Sequence, residues 1–195
     1  MKLVRLWAGR LSPRERSLGL IAGVLVLLNL VLPIWEVLLR SQQYPEGLHL
    51  IIYARSLAGD LPAINTLNDI IGMKPLTVGS FAEFTWLSPV LAFVGLFLIG
   101  VSLLGRRVGM LVGWIVLWAF DGFMLWDFYR WMYQWGHDLD PRAPFKIAPF
   151  TPPLIGYEHV ANFHIFSFPL WGGALIVIAS LLGLYQLWYA VRSSV

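Results

Sequence analysis

The chain has 195 residues, 58% of them hydrophobic and 13% charged, and a mean hydropathy of +0.69; this excludes an ordinary soluble domain and points to a bilayer. It contains no cysteine, so disulfides, thiolate metal ligands and thiol catalysis are excluded together. Its net charge of +3 is spread unevenly, and the distribution reads as membrane topology rather than as a nucleic-acid-binding surface.

From the N-terminus, Met1–Leu11 alternates Lys2, Arg5 and Arg10 with Leu3, Leu6 and Trp7, a pattern that suits a short helix on an anionic membrane surface. Ser12-Pro13-Arg14-Glu15 reads as a capping box with proline at the first helical position. The basic start and apolar run resemble a secretory signal, but no small-residue cleavage pattern follows, and the run is too long for a signal core. A retained anchor is expected. Apolar runs near the ~20 residues that a span requires predict four transmembrane helices, at about 18–39, 89–104, 108–126 and 169–190. Pro33 should kink the outer third of the first, and the short second span can borrow the aromatic stretch around Phe84 and Trp86.

Orientation follows from the cations. The N-terminal segment, the Gly105-Arg106-Arg107 turn and the segment after the last span hold eight of the fourteen basic residues and one of the eleven acids. The positive-inside rule places both termini and that turn in the cytoplasm. The loops at about 40–85 and 135–168 then lie outside. In the first, Leu48, Ile51 and Ile52, and separately Ile64, Leu67, Ile70 and Ile71, recur at helical spacing and predict two short amphipathic helices broken at Gly59-Asp60-Leu61-Pro62. Ser88-Pro89 and Ser167-Phe168-Pro169 read as helix entries, with serine as the cap. The third helix should outlast the membrane, carrying an aromatic girdle from Trp126 to Trp135, and the proline-rich stretch from Asp138 to Pro153 should form an extended cover. The expected fold is an all-α membrane protein, one four-span domain over 1–195 with both termini inside.

Ionisable groups at membrane depth carry a functional expectation. These are Asp121, Asp127, Arg130 and Glu36. Asp127 and Arg130, at i and i+3, can neutralise one another, whereas Asp121 has no local partner and must meet a group on another helix, bind a cation or stay protonated. All four histidines, His49, His137, His159 and His164, fall in the outer loops. An interfacial histidine is more often a hydrogen-bonded polar residue than a ligand. Gly136-His137-Asp138-Leu139-Asp140 nevertheless sets an imidazole among carboxylates, and Met73 could add a thioether, so His137, Asp138, His159, His164, His49 and Met73 form a candidate copper-ligand set. His159 and His164, five residues apart, would not share a helical face and require a loop to meet. No histidine lies within a span, so axially ligated haem is not expected. No nucleotide loop, Gly-x-Ser-x-Gly elbow or His-Glu-x-x-His motif is present, and an autonomous enzyme is not expected.

The loop segments Tyr44-Pro45-Glu46-Gly47-Leu48, Gly59-Asp60-Leu61 through Asn65-Thr66-Leu67-Asn68 to Ile71-Gly72-Met73, Gly136-His137-Asp138-Leu139-Asp140-Pro141, Pro152-Pro153-Leu154-Ile155-Gly156 and Asn162-Phe163 resemble a family of small polytopic bacterial membrane proteins encoded beside nitrous oxide reductase and its copper-delivery proteins. The resemblance covers most of Tyr44 to Gly173. It implies an accessory role in periplasmic copper-enzyme maturation or in electron supply to that enzyme. Where the family pattern has a His-Tyr pair before Ile-Gly-Met, this chain has Asp69-Ile70, which counts against a ligand role for the Met73 loop. The expectation is therefore a non-catalytic accessory protein of the bacterial cytoplasmic membrane, with copper as its candidate cofactor and other membrane or periplasmic subunits as partners. A structural or quinone-handling subunit of a larger respiratory complex is the alternative.

Overall fold

The computed structural model describes residues 9–160 and 162–192. The surface helix expected over Met1–Leu11 falls almost wholly outside them. The capping box is present: Ser12 Oγ accepts from the Glu15 amide, the Glu15 carboxylate accepts from the Ser12 amide, and helix α1 runs Pro13–Leu28. At 16 residues it spans only about 24 Å.

The chain then departs from the all-α expectation. α1 ends at Asn29, whose side-chain amide donates to Leu25 O, and Pro33 follows a succession of tight turns instead of kinking a longer helix. A prolyl ring cannot continue the ladder, and it drives the preceding residue out of the helical region. The apolar run expected to complete the first span is strand β1, Trp35–Arg40. The first amphipathic helix of the loop is likewise replaced by strands β2, Leu48–Ile52, and β3, Leu57–Gly59. Strands β4, Gly156–Val160, and β5, Phe163–Pro169, complete an antiparallel sheet of order β3-β2-β1-β5-β4. β1 lies at its centre, and Glu36, Val37 and Leu38 are all buried although successive side chains point to opposite faces. Ser167 belongs to this sheet, so it does not cap the last helix.

The second amphipathic segment is helical, as the spacing predicts: α2 runs Leu61–Ile71 and stops at Gly72, whose left-handed backbone (φ 79°) ends the helix. The apolar helices are α3, Glu83–Leu104, α4, Arg107–His137, and α5, Trp171–Arg192. Among the described residues these three helices, not four, are long and apolar enough to cross a membrane. α3 starts at Glu83, taking in Phe84 and Trp86, so Pro89 lies inside it and Ser88 instead donates to Ala54 O. The 31 residues of α4 extend about 46 Å, more than a ~30 Å hydrocarbon core requires.

The molecule has two ends. At the basic end, Gly105 turns α3 into α4 and its carbonyl accepts from the Leu11 amide at 2.8 Å, while Arg107 pairs with Glu15. α1 runs from there toward the sheet, packed against α3 and α5. α5 leaves the sheet where the amides of Leu170, Gly172 and Gly173 reach the carbonyls of Pro33 and Ile34, and returns along α1. One core fills the helix bundle around Leu91, Leu98 and Trp114. A second lies between the sheet, α2 and the far end of α4, around Val37, Leu50, Ile64, Met132 and Ile165.

Candidate functional site: a cavity under the sheet

The second core is incompletely filled. A cavity of about 460 Å³ opens within it, a size in the range of small-molecule sites. Strand alternation turns Val37, Leu50 and Ile165 into it from the sheet. α2 contributes Ile64, Leu67 and Ile71, and α4 contributes Phe128, Trp131 and Trp135. The proline-rich segment closes one side with Phe145, Ile147 and Phe150. That segment is non-helical and non-strand, as expected, and backbone contacts hold it: the Phe145 amide donates to Ile70 O, the Asp140 amide to Gly72 O and the Phe150 amide to Gly136 O. Gly136 is required here because a Cβ would fall 1.8 Å from Phe150 O.

Two acids on the wall, Asp127 and Glu83, converge on one guanidinium. Arg130 donates from Nε (3.0 Å) and Nη2 (2.6 Å) to Asp127 Oδ1, and from Nη2 to Glu83 Oε1 (3.1 Å). Trp131 Nε1 donates to the same Glu83 oxygen at 3.0 Å. Asp127 is buried and Glu83 nearly so, close enough for two carboxylates to repel. One cation thus serves two acids in a setting of low polarity. The Asp127–Arg130 pair was legible from its spacing, but Glu83 was not. An acid opening a helix inside the aromatic run Phe81–Trp86 is the signal that could have found it.

Asp121 meets another helix, the first of the three expected alternatives: Ser180 Oγ on α5 donates to its Oδ2, while Oδ1 is buried without a hydrogen-bond partner among the described residues. Glu36 lies in β1, not in a transmembrane helix, and its Oε1 is 2.5 Å from His49 Nδ1.

The candidate copper ligands do not converge. Register places His49, His159 and His164 on the sheet face turned away from the cavity, with His49 held on Glu36. His137 ends α4, its Nδ1 2.9 Å from Tyr133 O and its ring stacked on Tyr133. Its two neighbouring carboxylates are engaged elsewhere, Asp138 by Lys74 and Asp140 by Arg142. Hydrogen bonds from the Arg142 guanidinium and amide hold the Asp140 carboxyl below its usual range. Met73 lines the cavity. Among the described residues no three His, Asp or Glu side chains form a metal cage. The exception to this dispersal is His159 and His164, directly opposite one another across β4 and β5.

No protein-family model matches the chain, and no curated protein or solved structure is significantly similar to it.

Proposed function

We propose that this chain is a non-catalytic accessory protein of the bacterial cytoplasmic membrane, with its basic end inside, and that its sheet module works in the periplasm in support of a copper-dependent respiratory enzyme of the nitrous oxide reductase type. The observation that carries the reading is the division of the molecule. Cations gather at one end of the apolar helices, and a folded module with a preformed apolar cavity stands at the other. The likeness of its loops to proteins encoded beside that enzyme supplies the context. The two acids on the cavity wall, Glu83 and Asp127, are both engaged by Arg130, and the lining offers no nucleophile, base and orienting group in sequence. The test compares the copper enzyme from cells with and without this chain. Copper content and turnover should fall in its absence, and an enzyme with unchanged copper and unchanged turnover refutes the reading.

A second reading, quinone handling, is favoured by the cavity itself. An apolar, aromatic-lined space beside a carboxyl–guanidinium cluster suits a molecule with a polar ring and a long apolar tail, drawn from the bilayer. Protein isolated in native-lipid nanodiscs should retain quinone on solvent extraction, and Leu67→Trp, which fills the cavity, should lower the retained amount. Equal retention by both proteins removes this reading.

A further inference from the structure

The hairpin from Gly156 to Pro169 brings together two histidines that helical spacing sets apart. A hairpin closed at the Val160↔Phe163 pair makes residues five apart direct partners, so His159 and His164 face each other across the ladder. Their ring centroids are 4.8 Å apart and their planes are inclined by 44°. We propose that this pair is a bidentate site for a late first-row divalent ion, with Cu(II) bound more tightly than Ni(II) or Zn(II).

The separation fits a shared ion. With metal–nitrogen bonds of about 2.0–2.1 Å, an ion lies about 3.2 Å from each ring centre, so rings 4.8 Å apart subtend about 97° at it, between the square-planar and tetrahedral angles. A neighbour fixes one ring. The Tyr157 hydroxyl lies 2.7 Å from His164 Nδ1, and the two rings are within 17° of parallel. With Nδ1–H donating to the tyrosine oxygen, the lone pair is left on Nε2, which is how outer hydrogen bonds orient metal-bound imidazoles. The strand ladder holds both backbones before any ion arrives, so little freedom is lost on binding.

Both histidines are exposed. Two protein ligands leave the remaining coordination positions to water or to a donor from another molecule, an open arrangement suited to an ion that is passed on rather than stored. Glu158, between Tyr157 and His159, belongs to the opposite face and contributes nothing. Arg40 lies opposite His164 on β1, but it is exposed, and water keeps its repulsion of a bound ion small. Among divalent ions the order of affinity follows the general preference of imidazole sites, which peaks at copper.

The site stands on hairpin geometry alone and is independent of any respiratory partner. Full-length protein in lipid nanodiscs, stripped with chelator, is titrated with Cu(II) sulfate by calorimetry and electron paramagnetic resonance. One equivalent with nitrogen hyperfine structure is expected. His159→Gln and His164→Gln should each weaken binding at least tenfold, Tyr157→Phe severalfold, and His49→Gln and His137→Gln not measurably. In the unaltered protein, Zn(II) should shift the ring resonances of His159 and His164 at lower concentration than those of His49 and His137. Binding unaffected by either hairpin substitution, equal loss on His137→Gln, or simultaneous shifts of all four rings overturns the proposal and leaves an ordinary cross-strand ring contact with an adventitious ion only.

Discussion

Arg130→Met tests whether the cavity wall depends on one cation shared by two acids. The substitution keeps much of the apolar stem but deletes three charge-assisted hydrogen bonds of 2.6–3.1 Å and leaves Asp127 and Glu83 beside each other. Breaking a fully buried pair costs about 3–5 kcal/mol. The Arg130 side chain retains 34% of its exposure, so water can enter and the expected loss is about 2–4 kcal/mol. Asp127→Asn alone should cost only about 0–1 kcal/mol, because Glu83 still pairs with the guanidinium and the asparagine oxygen still accepts from it. Combined with Arg130→Met it removes the repulsion, so the double variant should be more stable than Arg130→Met alone, with a coupling of about 1–2 kcal/mol. The assay is equilibrium unfolding in mixed micelles followed by tryptophan fluorescence, to which Trp131 and Trp135 beside the cluster contribute. An Arg130→Met variant within ~0.5 kcal/mol of the parent, or a double variant equal to the sum of the singles, refutes the shared-cation argument.

Helix packing gives a paired prediction. A Cβ on Gly23 would lie 2.7 Å from Gly95 O, so Gly23→Val should separate α1 from α3 and cost about 1–3 kcal/mol, whereas Gly100→Ala meets nothing within 4 Å and should be neutral or stabilising by up to about 1 kcal/mol; thermal denaturation in detergent reads both. Asp140 supplies the pH prediction. Its carboxyl is held below 3.8 by Arg142, so whatever this pair contributes is present above the unfolded value and is lost as pH falls through the folded one; an NMR titration of the Asp140 side-chain carboxyl should show the depressed midpoint and its return toward 3.8 in Arg142→Gln. Sidedness is testable because the chain lacks cysteine: in sealed vesicles of one orientation, an impermeant thiol reagent should distinguish Arg107→Cys from Tyr157→Cys, and equal labelling of both would contradict the two-ended arrangement.

The basic end was legible in the sequence because its determinants are local. A serine, a proline and a glutamate within four residues make the capping box, and one glycine between apolar runs makes the α3–α4 turn. The sheet was hidden because its determinants are not. Trp35–Arg40 continues the apolar composition of the helix before it, and a central strand lacks the alternation that would betray it. In β2, Leu48, Ile51 and Ile52 match a helical face only if Leu50 is passed over; the sequence Leu48, Leu50, Ile52 is the period-2 pattern, and it is that set that faces the second core and the cavity. Pairing of Trp35 with Pro169 joins distant parts of the chain, which no local window contains.

The same distinction separates the polar residues that could be read from those that could not. Asp127 with Arg130 is a helical neighbour pair and announces itself by spacing. Glu83 joins it from 47 residues away, and the His159–His164 contact exists only once β4 and β5 are known to be a hairpin. A spacing of five means opposition on that hairpin and divergence on a helix, so the chemistry assigned to a pair of side chains depends first on the secondary structure that carries them. The two places with the most chemical potential here, the guanidinium-bridged acids under the sheet and the paired imidazoles on its far face, are both products of that non-local pairing. The sheet therefore does more than cap the helices: its central strand, drawn from the apolar run that follows α1, presents one face to the cavity and on the other lies beside the strand pair that carries the imidazoles.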